Sequence, residues 1–105
     1  MADHTQLIKD TIEKNHVALF MKGTPDMPQC GFSARVVAIL DDLDVKYQAV
    51  NIFDDHPAIL HQLRDIHGWP TSPQLYIDGE LIGGCDITME MYESGDLQKK
   101  LGIKE

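Results

Sequence analysis

Gln74-Leu75-Tyr76-Ile77-Asp78-Gly79-Glu80-Leu81-Ile82 reads as two short apolar strands joined by a tight turn. Asp and Gly both tolerate positive φ, which a two-residue hairpin turn needs if its twist is to match the flanking strands. Upstream of this hairpin, Pro57 stands at a first helical position. Ile59, Leu63 and Ile66 then form a buried stripe, and Gly68 is placed to stop that helix. Downstream, Gly83-Gly84 breaks the second strand. Asp86 is placed to N-cap a helix running to Ser94-Gly95, and a short helical end from Leu97 to Leu101 closes the chain.

The N-terminal half also alternates. Leu7, Ile8, Thr11 and Ile12 recur at helical spacing, so residues 4–15 read as an amphipathic helix. Val17-Ala18-Leu19-Phe20-Met21 is an unbroken apolar run, as expected of a central strand covered on both faces. Lys22 to Gln29 is a loop containing Pro25 and Pro28. Beyond it Phe32, Val36, Val37, Leu40 and Leu43 mark one helix face, and Lys46 to Ile52 reads as a second strand. Strand, helix and strand make a right-handed parallel unit, to which the hairpin adds two strands. The expected fold class is α/β: a thioredoxin-like, four-stranded mixed sheet flanked by helices, with an extra N-terminal helix. The 105 residues form one domain, 1–105.

Nine Lys+Arg against 17 Asp+Glu leave a net charge of −8. Phosphate backbones require a basic face and anionic lipid attracts basic segments, so neither a nucleic-acid partner nor membrane docking is expected. The acidic balance reads as a device for solubility. Met1-Ala2-Asp3-His4 has no apolar leader segment, and no apolar run approaches transmembrane length. The chain has two cysteines, Cys30 and Cys85. Without a leader they point to a reducing compartment, where thiols are catalytic or metal-binding more often than structural. The expected location is the cytoplasm, or an organelle matrix if a presequence has been removed.

Three segments carry candidate chemistry. Cys30-Gly31-Phe32-Ser33 opens a helix after a central strand, where free backbone N–H groups and the helix dipole favour an anion. Such placement lowers a thiol pKa, and Lys22 at the end of the preceding strand adds positive charge. Ser33 occupies the position that a second thiol would take in a Cys-x-x-Cys redox pair. Trp69-Pro70-Thr71-Ser72-Pro73 precedes the third strand; an X–Pro bond there is a candidate for the cis form. Pro73 cannot donate to a ladder, so the Ser72 main chain could pair with an extended peptide; an ordinary proline-rich connection is the other reading. Gly83-Gly84-Cys85-Asp86 leads into a helix N-terminus whose amides suit a carboxylate, with Asp86 able to accept from an amine. His4, His16, His56, His61 and His67 lack zinc-ligand spacing. Met89 and Met91 read as packing, and Trp69 as a core or cleft-wall aromatic.

Lys22, the Cys30–Ser33 run, Trp69-Pro70-Thr71 with Pro73, and Gly83-Gly84-Cys85-Asp86 together resemble the monothiol glutaredoxins of the CGFS type, over nearly the whole chain and in the right order and spacing. The resemblance implies a thioredoxin fold, glutathione binding, and the carriage and transfer of [2Fe–2S] clusters, with BolA-type proteins and apo iron–sulfur proteins as partners. Carried over by position, Cys30 is the active thiolate and iron ligand, and Lys22 holds the glycine carboxylate of glutathione. Thr71, Ser72 and a cis Pro73 pair with its backbone, and Gly84, Cys85 and Asp86 hold its γ-glutamyl end. Two departures stand out. Leu60 occupies a position where the family often has Arg, so Arg64, one turn later, is expected to serve. Ser72 replaces a bulkier apolar residue.

Four ligands are needed for a [2Fe–2S] cluster. Cys30 from each of two chains and two glutathione thiolates supply them, which implies a cluster-bridged homodimer and a monomeric apo form. Cys30 and Cys85 from each of two chains make a competing count, and a Cys85→Ser substitution distinguishes the two. The alternative of a different class is a glutathione-dependent thiol–disulfide oxidoreductase that removes glutathione from mixed disulfides, with Cys30 as nucleophile. The lengthened Lys22–Cys30 loop and the absent second thiol favour the carrier over brisk turnover.

Overall fold

The computed structural model describes residues 3–68 and 71–103. In chain order they form α1 (Thr5–Lys14), β1 (Val17–Met21), α2 (Gly31–Asp42), β2 (Gln48–Asn51), a 3-10 turn (Ile52–Asp55), α3 (Ala58–His67), β3 (Gln74–Ile77), β4 (Glu80–Gly83), α4 (Cys85–Ser94) and α5 (Asp96–Leu101). Trp69 and Pro70 lie outside the described residues, and the expectation for Trp69 with them.

The sheet order is β2-β1-β3-β4. β1 runs parallel to β2 with Met21 opposite Asn51, and antiparallel to β3 with Phe20 opposite Gln74. β3 and β4 form the antiparallel hairpin, with a register irregularity at Leu75/Tyr76. Its turn residues Asp78 and Gly79 have φ of 52° and 81°, the paired positive angles of a type I′ turn. This is the thioredoxin-like mixed sheet that the sequence predicts.

β1 explains why the unbroken apolar run is needed. All five of its residues are buried. Val17, Leu19 and Met21 enter one core with Val36, Val37 and Leu40 of α2 and Leu97 of α5. Ala18 and Phe20 enter the other, with Ile8 and Ile12 of α1, Ile59 and Leu63 of α3, and Tyr76. Phe20 and Tyr76 meet edge to face at a centroid distance of 5.7 Å. A polar residue anywhere in β1 would be desolvated on one face or the other.

Element boundaries differ from the sequence reading by a residue or two at several points, and at three of them a local reason is visible. β2 ends at Asn51 rather than Ile52, because the Asn51 side chain accepts from the Phe53 N–H and turns the chain into a 3-10 helix. α3 begins at Ala58, so Pro57 precedes the helix; the His56–Pro57 bond is cis. α4 begins at Cys85 with Gly84 as its N-cap. The Gly84 carbonyl accepts from the Thr88 N–H at 3.1 Å and from its hydroxyl at 2.8 Å, closing the first turn one residue early. Asp86 therefore sits inside the first turn, where a carboxylate suits the helix dipole, and does not cap it.

Candidate functional site

Cys30 is the N-cap residue of α2, in extended backbone with φ −150° and ψ 136°. Its carbonyl accepts from the Ala34 N–H at 2.9 Å, which starts the helix, and the residue is half-buried. The Cys30 thiol is held below its ordinary range. The largest cause is the Ser33 backbone N–H; the Phe32 N–H, the Lys22 charge and the Ser33 hydroxyl add to it, and burial opposes them. A helix N-terminus, a lysine and a hydroxyl thus converge on one sulfur. A Cβ added at Gly31 would meet nothing within 4 Å, so glycine leaves open surface beside the thiol.

Ser33 has a larger part than its sequence position suggests. It is fully buried, and its Oγ accepts from the Lys22 N–H at 3.1 Å. That bond leaves its proton available to the Cys30 sulfur. Residues 22–30 fold back tightly. The Gln29 N–H donates to the Lys22 carbonyl at 2.8 Å, and Gly23 bridges to Pro28. Gly23 has φ 90°, and a Cβ there would lie 2.5 Å from the Met27 carbonyl oxygen, so only glycine fits. The Lys22 side chain makes no ion pair among the described residues.

Beside this thiol lies a cleft of about 310 Å³, lined by Phe32, Thr71, Ser72, Pro73, Gly84, Cys85, Asp86 and Ile87. Six of the sequence-predicted site residues meet there: Thr71 to Pro73 from the approach to β3, and Gly84 to Asp86 from the start of α4. The Ser72–Pro73 bond is cis. The Ser72 hydroxyl donates to the Phe20 carbonyl at 3.2 Å, which accounts for a small polar residue at this buried position. Gln74, fully buried and unsuspected from sequence, donates to the Thr71 carbonyl at 3.0 Å and accepts from the Tyr76 hydroxyl at 2.8 Å. One wall of the cleft is therefore tied to both central strands.

A glutaredoxin family model matches residues 17–82. The chain is 51% identical over 96 residues to probable monothiol glutaredoxin 2 of Rickettsia typhi, covering 91% of this chain and 86% of that protein. It superposes on the solution structure of reduced poplar apo GrxS14 with a TM-score of 0.79 and 47% identity, over 92% of this chain and 88% of that one. The chain belongs to the glutaredoxin family. A buckwheat glutaredoxin solved as a glutathione complex is 30% identical with a TM-score of 0.83, over 93% of this chain and 86% of that one.

Within this glutaredoxin the two cysteines differ sharply. Cys85 is 7% exposed, and its sulfur lies 3.7 Å from the Met89 sulfur. Burial, and then the Asp86 charge, push its thiol up, and Arg35 only partly offsets them. Cys85 lines the cleft with its thiol held in the neutral form, whereas the Cys30 thiol is shifted towards ionisation. Arg64 stands exposed in the last turn of α3 and is not among the residues lining the cleft. Leu60 is half-buried against the α1–α3 core, so the apolar side chain there serves packing.

Proposed function

We propose that this glutaredoxin is a glutathione-dependent carrier of [2Fe–2S] clusters. One observation carries the reading: a single thiol with a lowered pKa, Cys30, stands beside a peptide-sized cleft, and Ser33 in the first turn of the same helix offers donors in place of a second thiol. Among the described residues, no three His, Cys, Asp or Glu side chains gather into a group that could hold a metal. One chain thus offers a cluster one thiolate ligand, and four are required. Two Cys30 thiolates and two glutathione thiolates complete the set, giving a bridged homodimer when loaded and a monomer when empty. In this reading the Lys22 ammonium takes the glycine carboxylate, with Arg64 as a second cation from α3. Thr71, Ser72 and Pro73 pair with the tripeptide backbone, and Gly84, Cys85 and Asp86 receive the γ-glutamyl end. The cluster is cargo. A BolA-type protein and apo iron–sulfur proteins are the partners, in the cytoplasm.

Anaerobic reconstitution with iron, sulfide and glutathione tests this reading. The expected outcome is a visible charge-transfer spectrum together with a doubling of solution mass, both lost when glutathione is omitted or in Cys30→Ser. Brisk deglutathionylation by the apo protein, with no cluster on reconstitution, would favour the second reading. There the Cys30 thiolate attacks the glutathionyl sulfur of a mixed disulfide and expels the target thiolate. A second glutathione thiolate then attacks that sulfur, releasing glutathione disulfide and restoring Cys30. The lowered thiol supports that chemistry too; the neutral, buried Cys85 does not support an internal resolving step.

A further inference from the structure

We infer that Gln74 is a positioning residue for the cleft: its side-chain amide holds and polarises the Thr71–Ser72 peptide, making the Ser72 N–H a fixed donor for the backbone of an extended peptide ligand. This rests on the reading of Thr71 to Pro73 as the wall that pairs with glutathione. Ser72 has little else to offer a ligand. Its hydroxyl is turned into the sheet and donates to the Phe20 carbonyl at 3.2 Å, and Pro73 has no N–H. Among the described residues, none accepts from the Ser72 N–H. The Thr71 carbonyl, at the other end of the same peptide group, is already taken by Gln74 Nε2 at 3.0 Å.

That peptide is trans, so its N–H points opposite to its C=O. The carbonyl is aimed at the fully buried Gln74 amide, so the N–H is aimed away from it, in a segment that lines the cleft. A carbonyl that accepts a hydrogen bond also makes the N–H of its own peptide group a stronger donor. One orientation of the Gln74 amide satisfies both of its contacts: Oε1 accepts from the Tyr76 hydroxyl at 2.8 Å, which leaves Nε2 to face Thr71. The Tyr76 ring is placed in turn by Phe20 of β1 and His67 of α3, at centroid distances of 5.7 Å and 5.0 Å. Burial raises the pKa of its hydroxyl, which keeps it a donor. The order of dependence runs from the core ring to the amide and from the amide to the wall, although neither Gln74 nor Tyr76 is among the residues lining the cleft.

The test is an NMR titration of the apo protein with S-methylglutathione, whose blocked sulfur leaves thiol chemistry out. In the native chain, saturable amide shifts are expected on both walls, at Ser72 and at Gly84 and Asp86. Gln74→Met keeps the side-chain length and removes both polar atoms. It is expected to weaken binding roughly two- to fivefold, to move the Thr71 carbonyl carbon upfield, and to shrink the Ser72 amide shift at saturation. The Gly84 and Asp86 shifts at saturation stay as in the native chain, whereas a merely structural defect would disturb both walls alike. Tyr76→Phe keeps the ring and loses the hydroxyl, so it moves the same signals in the same direction by less, and it carries the test if Gln74→Met fails to fold. Native affinity with a native Ser72 shift in the variants, or equal losses on both walls, would overturn the proposal and leave the glutathione reading standing. No saturable shift on either wall of the native chain would overturn the glutathione reading itself, and the proposal with it.

Discussion

At the scale of single residues, the site rests on one serine. Ser33 Oγ accepts from the Lys22 N–H at 3.1 Å while its proton and its own N–H serve the Cys30 sulfur. Ser33→Ala removes the hydroxyl and keeps the larger contribution of the backbone N–H. We expect the Cys30 alkylation midpoint to rise by a few tenths of a pH unit, and stability to fall by about 1–2 kcal/mol because the Lys22 N–H loses its acceptor. An unchanged midpoint would show that the hydroxyl does not face the thiolate. The sequence made Cys30 legible, since an apolar strand, a glycine-proline loop and a helical stripe locate a helix start without any tertiary knowledge. It showed Ser33 only as an absent thiol. Residues such as Gln74 and Asn51 were invisible for the same reason: a buried amide is recognised by its partners, and those partners are brought together only by folding.

At the scale of elements, the hairpin was readable because turn chemistry is local: Asp78-Gly79 alone satisfies the backbone angles. The contacts that clasp its turn to the rest were not readable. His16 Nδ1 lies 2.5 Å from Asp78 Oδ1, and its Nε2 lies 3.3 Å from the Leu101 carbonyl, at separations of 62 and 85 residues. The Asp78 N–H donates to the His16 carbonyl at 2.8 Å, so side chain and backbone clasp the same turn. Hydrogen bonding to Asp78, and then to Leu101, raises the His16 pKa above its ordinary 6.5. Because the folded value is the higher one, the clasp contributes its full stability below about pH 6.5 and loses it as pH rises through the folded value. Both side chains are more than half exposed, so the effect is small, well under ~1 kcal/mol. Thermal melting of the native chain and His16→Gln should therefore diverge at pH 6 and converge by pH 9. A constant difference across that range would remove the ionic contribution. The 3-10 turn escaped the sequence reading on similar grounds, because one asparagine side chain, not a periodic pattern, bends the chain there.

At the scale of the molecule, the two cysteines divide the work. Cys85 is 7% exposed, held neutral and part of the cleft lining, while Cys30 is half-buried and activated at the start of α2. Cys85→Ser is expected to retain a reconstituted cluster and the doubled mass, while Cys30→Ser loses both. Loss in Cys85→Ser would instead assign two protein thiolates per chain. The overall architecture was legible because each half signals its own pairing, and the cleft because its two walls lie at the two strand-to-helix and loop-to-strand junctions that the motifs mark. Finally, β1 is hydrogen-bonded on both edges and feeds side chains into both cores, so it has no way to open without dissolving each of them. Its amides should exchange with deuterium only through global unfolding, while those of the edge strand β2 exchange through smaller openings. Lys22 continues directly from β1. The charge that serves the thiol is thus mounted on the slowest-exchanging part of the chain, and the site stays preorganised for as long as the protein is folded at all.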